Sequence, residues 1–356
     1  MIIELHAIQS FAPNLLNRDD TGMPKDCVFG GHRRARVSSQ SWKRAIRHLM
    51  QEEQGLGQAF GKRSKRLAHD IAQRLEGRGW SADDAEPAAE AALVASGFRI
   101  TKEARSEYLL FFGPAELERL TALCEQHRDA LLADNPPAAE FKSALGHPGA
   151  VDIALFGRML ADVPVHNVEA ACQVAHAIST HRVSPDFDYY TAVDDLRPEE
   201  TQGADMIGTV AFNAATYYRY AALDVEQLAA NLDGDSTLAH SAVQAFIDTF
   251  VRAVPSGKQA TFAAHSPPSL VLGVARAHGC WSLANAFLKP VAATAESDLV
   301  SESAAALDRH WASLTAAYEQ PSEAKIALLT VGDQPTPALA AHRVVSLRDF
   351  ITALQT

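Results

Sequence analysis

Residues 27 to 51, CVFGGHRRARVSSQSWKRAIRHLMQ, hold six Lys or Arg and no Asp or Glu, in a 356-residue chain whose formal net charge is -11. Cationic side chains without neighbouring carboxylates are suited to phosphate groups. Gly30-Gly31 can bring a loop backbone close to a ligand, Arg33, Arg34 and Arg36 follow without counter-charges, and Ser38-Ser39 reads as the N-cap of a helix. A helix N-terminus adds N–H donors and a positive dipole end at the same place. Two readings fit this stretch: a solvated basic face, or a site for phosphate or nucleic acid.

Acid–base or metal chemistry has fewer candidates. The carboxylate pairs are Asp19-Asp20, Asp83-Asp84 and Asp194-Asp195. Asp83-Asp84 falls in the first turn of an expected helix, where capping accounts for it. His176 and His181 lack a metal-like partner pattern, and GQAFGKRS departs from a phosphate-binding P-loop in its glycine spacing and in Arg63, which stands where a magnesium-binding hydroxyl is needed. Cysteines 27, 124, 172 and 280 have no paired spacing, so neither disulfides nor a zinc knuckle is expected.

The elements that must position the basic residues follow from periodicity. At roughly 100° per residue, Gln40, Lys43, Arg44 and Arg47 share one helix stripe, while Trp42, Ala45, Ile46 and Leu49 occupy the opposite face. Residues 2 to 8 alternate as a strand, and SFAPNLLNRDDTGMPKD after them has the composition of an irregular loop. Lys62, Arg63, Lys65 and Arg66 form a second basic cluster at a helix start. Helices are expected at 81 to 96 and 114 to 132, with YLLFF as a buried strand between them. Prolines 136, 137 and 148 mark a break, and CQVAHAISTHRV is β-compatible. Two β-like arms flank an acidic excursion at 194 to 208, the pattern of a projecting hairpin. Asp224 and Asp235-Ser236 cap two helical segments, and 255 to 275 is a broken pair of extended segments. Helices near 281 to 289, 298 to 318 and 346 to 354 and a strand near 324 to 331 complete an α+β order.

With 47 % hydrophobic residues the chain can bury a sizeable core. IIELHAIQSF lacks the layout of a signal peptide and no run reaches the length of a membrane span, so no membrane association and a cytoplasmic location are expected. Outside the acid-free window the chain is strongly acidic, so a polyanion should be confined to a groove, or bound where neighbouring subunits join their grooves.

The stretch LLNRDDTGMPKDCVFGGHRRARVSSQSWKRAIRH resembles the CasC backbone subunit of the type I-E CRISPR Cascade, within the RAMP superfamily. The resemblance resumes at VDIALFGRM, VAHAISTH, FDYYTAVDDL, GADMIGT, YYRYA, VPSGKQATFAA and SLANAF, and weakens in the C-terminal 60 residues. It implies an α+β fold: a modified ferredoxin-like (RRM-like) palm with inserted helical fingers and a protruding β-hairpin-like thumb. Residues 1–60 would begin the palm and carry the basic loop and helix. Residues 61–150 would be mainly helical fingers, 151–185 palm strands, 186–212 the thumb and 213–356 the rest of the palm.

The implied role is antiviral. Copies of the protein would stack along a guide RNA (crRNA) as a helical assembly with other Cascade subunits, presenting the guide in segments to target DNA. Arg18, Lys25, Gln40, Lys43, Arg44 and Arg47 resemble guide-RNA contacts, with Ser38 and Ser39 as hydroxyl donors and Lys258 as a further backbone contact. Met159, Tyr190 and Ile207 resemble apolar wedges beside displaced bases; core packing is the other reading of each. No enzymatic activity, cofactor or metal is expected. Two alternatives remain: a guide-directed RNA endonuclease using Asp19, Asp20 or Asp26 in the loop after the first strand, and a generic single-stranded RNA-binding module.

Overall fold

The computed structural model describes residues 1–53, 56–101, 103, 105–191, 207–318 and 323–355. The chain forms two compact units, one of residues 1–49, 174–222 and 246–356 and the other of 50–173 and 223–245. Among the described residues no helix is long and apolar enough to cross a membrane.

In the first unit an antiparallel sheet is assembled from distant segments. Its strands are β1 (Ile2–Asn14), β2 (Asp26–Phe29) and β3 (His32–Val37); after β4 (Lys62–Ser64) and β5 (Leu110–Phe112), which pair in the second unit, come β6 (Cys172–Val174), β7 (Ala177–Ser179), β8 (Asp186–Thr191), β9 (Ile207–Asp224), β10 (Leu270–Arg276) and β11 (Lys325–Thr330). The order is β11-β10-β1-β9-β7-β3-β2, with β6 and β8 also paired to β9. This mixed architecture with an antiparallel sheet is the α+β class expected from the sequence.

β1 is central and buried on both faces, and its buried polar side chains find partners mostly on the neighbouring strands, with His6 Nε2 left unpaired among the described residues. Glu4 lies 2.8 Å from the Arg276 guanidinium and accepts from the Tyr220 hydroxyl at 2.9 Å. One face packs against the helix Leu299–Tyr318 through Leu272, Leu307 and Trp311. On the other, Gly273 stands opposite Leu5, and a Cβ there would lie 2.5 Å from the Leu354 side chain, so glycine lets the helix Leu347–Gln355 approach. The arms of the expected hairpin do pair, Asp186 opposite Phe212 through Thr191 opposite Ile207. The excursion from 192 to 206, with Asp194-Asp195, lies outside the described residues.

The second unit is built on alanine-rich helices. Leu67–Glu76 and Ala82–Ala95 pack through Ala72, Ala85, Ala88, Ala89 and Ala92. Ser81 caps the second of these through the Asp84 N–H, and Asp83 and Asp84 occupy its first turn, as capping requires.

Four local expectations are corrected. β1 does not stop at residue 8 but runs through Pro13 to Asn14, whose side-chain amide donates to the Asn213 carbonyl at 3.0 Å. Val151–Phe156, placed among palm strands, is a helix of the second unit, because a short apolar run fits either state until its surroundings decide. Lys62–Ser64 is a strand rather than a helix start. Within 255 to 275 the first extended segment gives way to a helical turn at Gln259–Phe262, while the second is β10.

Candidate nucleic-acid interface

The acid-free stretch folds as a hairpin followed by a helix. β2 and β3 pair from Asp26 opposite Ala35 to Phe29 opposite His32, leaving Gly30-Gly31 as a two-residue turn with φ of +58° and +77°. Positive φ at both positions is the type I′ geometry that tight hairpins favour. Gly30 is not a ligand cradle: a Cβ there would sit 1.9 Å from the Leu288 carbonyl oxygen, so the turn packs on the protein's own backbone.

Each of the three strand arginines already has a partner within the fold. Arg33 pairs with Asp26. Arg34 is fully buried and donates to the carbonyls of Ser179 (3.0 Å), Thr180 (2.8 Å), Phe287 (2.6 Å) and Leu288 (3.4 Å). Arg36 donates through Nε to the Asp26 carbonyl and through Nη1 to His176 Nδ1, both at 3.1 Å. The expectation of arginines without counter-charges fails because Asp26, one residue outside the window, folds back onto it.

Helix α1 (Ser39–Glu53) behaves as its periodicity predicts. Trp42 and Ile46 are buried, Gln40 and Arg44 are exposed, and Lys43 and Arg47 are half-buried. Arg219, buried beneath, places its guanidinium 3.7 Å from the Trp42 ring centroid and donates to Gln9 Oε1 at 2.6 Å, fixing the helix on the sheet. Ser38 is the N-cap: its Oγ accepts the Ser41 N–H at 3.3 Å and the residue is buried. Ser39, half-buried, donates to Gln40 Oε1 at 3.4 Å.

Asn17, which sequence reasoning missed, organises the rest. Its carbonyl accepts the Lys25 N–H at 3.0 Å and its Oδ1 accepts the Ser38 N–H at 2.9 Å, tying the base of the 17–25 loop to the start of α1. Across that loop, exposed Arg18 bridges Pro24. Asp19 Oδ1 accepts from the Thr21 N–H (2.9 Å), the Thr21 hydroxyl (2.7 Å) and the Met23 N–H (3.0 Å), which hold its carboxyl below the usual range, the hydroxyl most of all. Lys258 joins the group because a Cβ on Gly257 would lie 2.4 Å from the Leu16 carbonyl oxygen. Only glycine permits that approach, and it delivers exposed Lys258, at φ +51°, beside the Arg18 loop. The signal was present as an N–R pair and a P–S–G–K turn, but nothing in the sequence says that the two meet.

His176 is exposed and shares the positive field. Partial burial, then the charges of Arg36 and Lys25, hold its imidazole below the usual histidine range. His181 is lowered mainly by burial, and its Nε2 accepts the Thr216 N–H at 3.2 Å, so it ties the chain at 181 to β9.

Of the three expected wedges, Met159 is 80 % exposed, which excludes core packing. It stands between two anchored neighbours. Arg158, buried, pairs with Glu116 at 2.6 Å and donates to the Phe111 and His166 carbonyls, while the Leu160 N–H donates to Asn167 Oδ1 at 2.6 Å. Tyr190 is 45 % exposed and lays its ring over Gly208, its partner across the ladder, where a Cβ would come within 2.3 Å of Cζ. Ile207 opens β9, and its side chain lies outside the described residues. β8 also exposes Phe187 and Tyr189, which strand alternation puts on the face opposite Tyr190.

The described residues contain no cluster of three or more His, Cys, Asp or Glu placed to hold a metal. The whole-chain comparison decides the family: residues 3–353 match the model of the CT1975-like proteins. The chain belongs to the CT1975-like protein family. The match runs through the C-terminal region where sequence motifs weakened, and it upholds the resemblance to CasC. The fold is similar to that of a chain described as "CRISPR RNA-guided surveillance complex, pre-nicking", with TM-score 0.89 and 33 % identity over 99 % of this chain and 100 % of that one. It is also similar to a chain of a "CRISPR RNA-guided surveillance complex", with TM-score 0.78 and 29 % identity over the same shares. No curated protein matches the chain.

Proposed function

We propose that this protein is a guide-RNA-binding backbone subunit of a type I-E CRISPR surveillance complex, polymerising along the guide and presenting it in segments to target DNA. The observation that carries this reading is the convergence, around Asn17, of the Arg18 loop, Lys25, the capped start of α1 and Lys258, with the α1 stripe continuing from it. Every cation of that set offers point charge or N–H donors suited to phosphate oxygens, so the grip is on the backbone and sequence is read by guide–target pairing. Met159 and Tyr190, apolar or aromatic and exposed, supply the wedges that separate stacked bases.

The role is non-catalytic. Two carboxylates of the loop after β1 have structural work: Asp19 holds the turn to Met23 and Asp26 neutralises Arg33. Incubating the guide-loaded assembly with complementary RNA and magnesium should leave that RNA intact; cleavage abolished by Asp26→Ala would establish the endonuclease instead.

Native mass measurement of the protein co-expressed with guide-length RNAs tests the main reading. Copy number should grow with RNA length, whereas a one-to-one complex at every length would make the protein a generic RNA-binding module.

A further inference from the structure

The arms that carry Tyr190 have little support of their own. Every residue of β8 is exposed, and Gly208, Thr209 and Val210 on β9 are exposed or half-buried. Their direction is therefore set at the root, where Phe212 stands opposite Asp186. Opposite residues in a ladder share a face and successive residues alternate, so Phe212 lies on the same face as Tyr190. Tyr190 stands opposite Gly208, four residues along β9 from Phe212. At strand rise that separates wedge and root by about 13 Å, so a tilt of about 10° at the root moves the wedge by about 2 Å.

Two side chains hold that root, and both come from segments that lead into the phosphate grip. Asn14 ends β1 just before Asn17, and its Nδ2 donates to the Asn213 carbonyl at 3.0 Å and to the Ala12 carbonyl at 2.9 Å. From the other side Phe262 sets its ring against Phe212, with centroids 5.7 Å apart and planes at 43°. Phe262 ends the helical turn that begins after Lys258. The Thr261 and Phe262 N–H groups both donate to the Lys258 carbonyl at 3.0 Å, and the Ala263 N–H donates to the Gln259 carbonyl at 2.8 Å. Gln259 Nε2 closes the turn on the Pro255 and Ala264 carbonyls, at 2.9 and 3.1 Å. The piece of chain that delivers Lys258 thus ends in the ring that meets the arm. Both rings are half-buried.

We propose that Phe212 and Phe262 are positioning residues, a stacked pair that fixes the angle of the arms to the phosphate grip and so sets where Tyr190 meets the guide. The inference deepens the guide-RNA reading above and rests on it. Aromatic pairs at such a distance hold more than the area they cover, and this one bridges the segment that carries the cation and the strand that carries the wedge. Neither ring offers a charge or a hydrogen-bond donor to a phosphate. Losing the stack therefore leaves the point charges of Lys258 and Arg18 in place and frees the arm. The guide stays bound, but it is no longer divided at fixed places.

The test separates holding the guide from dividing it. Phe212→Ala, Phe262→Ala and the double variant are assembled on a guide-length RNA whose bases are probed chemically, with Phe262→Tyr as the conservative control and thermal unfolding to confirm that each is folded. The wild type should show raised base reactivity at a regular interval. Each alanine variant should lose most of that contrast and Phe262→Tyr should keep it, while affinity for a short single-stranded RNA and its salt slope stay at the wild-type values. The double variant should be no worse than either single one, because all three lose the same contact. In parallel, hydrogen exchange on the RNA-free chain should be roughly two- to tenfold faster at the amides of residues 186–191 and 208–212 without the stack, the factor that aromatic pair energies imply. Unchanged periodic reactivity, additive losses in the double variant, or a flatter salt slope with the interval intact would each overturn the proposal. If the wild type shows no regular interval, the guide-RNA reading falls, and the exchange rates still decide whether this pair holds the arms.

Discussion

β3 and α1 are consecutive in one acid-free stretch, yet they use their cations in opposite ways. The strand turns its arginines inward or sideways: Arg33 to a carboxylate, Arg34 to four carbonyls, Arg36 to a carbonyl and an imidazole. The helix buries Trp42 and Ile46 and keeps Gln40 and Arg44 in solvent. A strand inside a sheet is flanked by backbone acceptors that lie within a guanidinium's reach, and a buried guanidinium needs several of them. In the body of a helix the carbonyls are already taken by N–H groups four residues on, so an exposed cation such as Arg44 stays open to an external anion. Charge density alone therefore does not mark a binding residue.

Removing Arg34 should give the largest effect. Arg34→Ala leaves the Ser179, Thr180, Phe287 and Leu288 carbonyls without their charged donor and opens a cavity, at a cost of about 3–5 kcal/mol in denaturant unfolding. At a temperature where the variant is still folded, the salt slope of RNA binding should equal that of the wild type. A destabilisation below about 1 kcal/mol would show that the strand does not depend on this buried guanidinium.

The helix should show the reverse. Lys43→Ala/Arg44→Ala/Arg47→Ala should change stability by no more than about 0.5 kcal/mol per site. The log–log salt dependence of guide binding should flatten by about 0.7 unit for each phosphate that is no longer neutralised, roughly two in all. A large drop in stability with an unchanged slope would put these side chains with Arg34 rather than with the RNA.

The same contrast explains what was legible beforehand. The α1 stripe could be read because a 3.6-residue period sorts buried from exposed positions within one local segment. Strand alternation could not say which of Arg33, Arg34 and Arg36 turned inward, since the carbonyls that receive Arg34 come from residues 179 and 180 and from 287 and 288. The α+β class, the arms of the hairpin and the Asp224 cap were local and held. Asn17, Gly257 and the Arg36–His176 pair depend on which distant segments meet. Met159 became interpretable once the Arg158–Glu116 pair behind it was known.

The smallest effect concerns the strand residue nearest to the RNA site. Arg36 Nη1 donates to His176 Nδ1 at 3.1 Å, so that nitrogen holds a lone pair and the neutral ring carries its proton on Nε2. Protonating Nδ1 would break the bond and set a cation beside Arg36 and Lys25, whose charges, after burial, lower the His176 pKa. Asp26 contributes its carbonyl to Arg36 but commits its carboxylate to Arg33. A phosphate held between Lys25 and Arg36 would offset both cations and raise the histidine pKa toward its ordinary value. The bound state then holds more protons than the free one, so affinity should increase as pH is lowered from about 7.5 to about 6. Arg36→Ala removes one of the two charges, so the free His176 titration followed by NMR should move up and the pH dependence of RNA affinity should shrink. A His176 resonance that titrates identically with and without RNA would place the phosphate elsewhere and leave Arg36 a structural residue like Arg34.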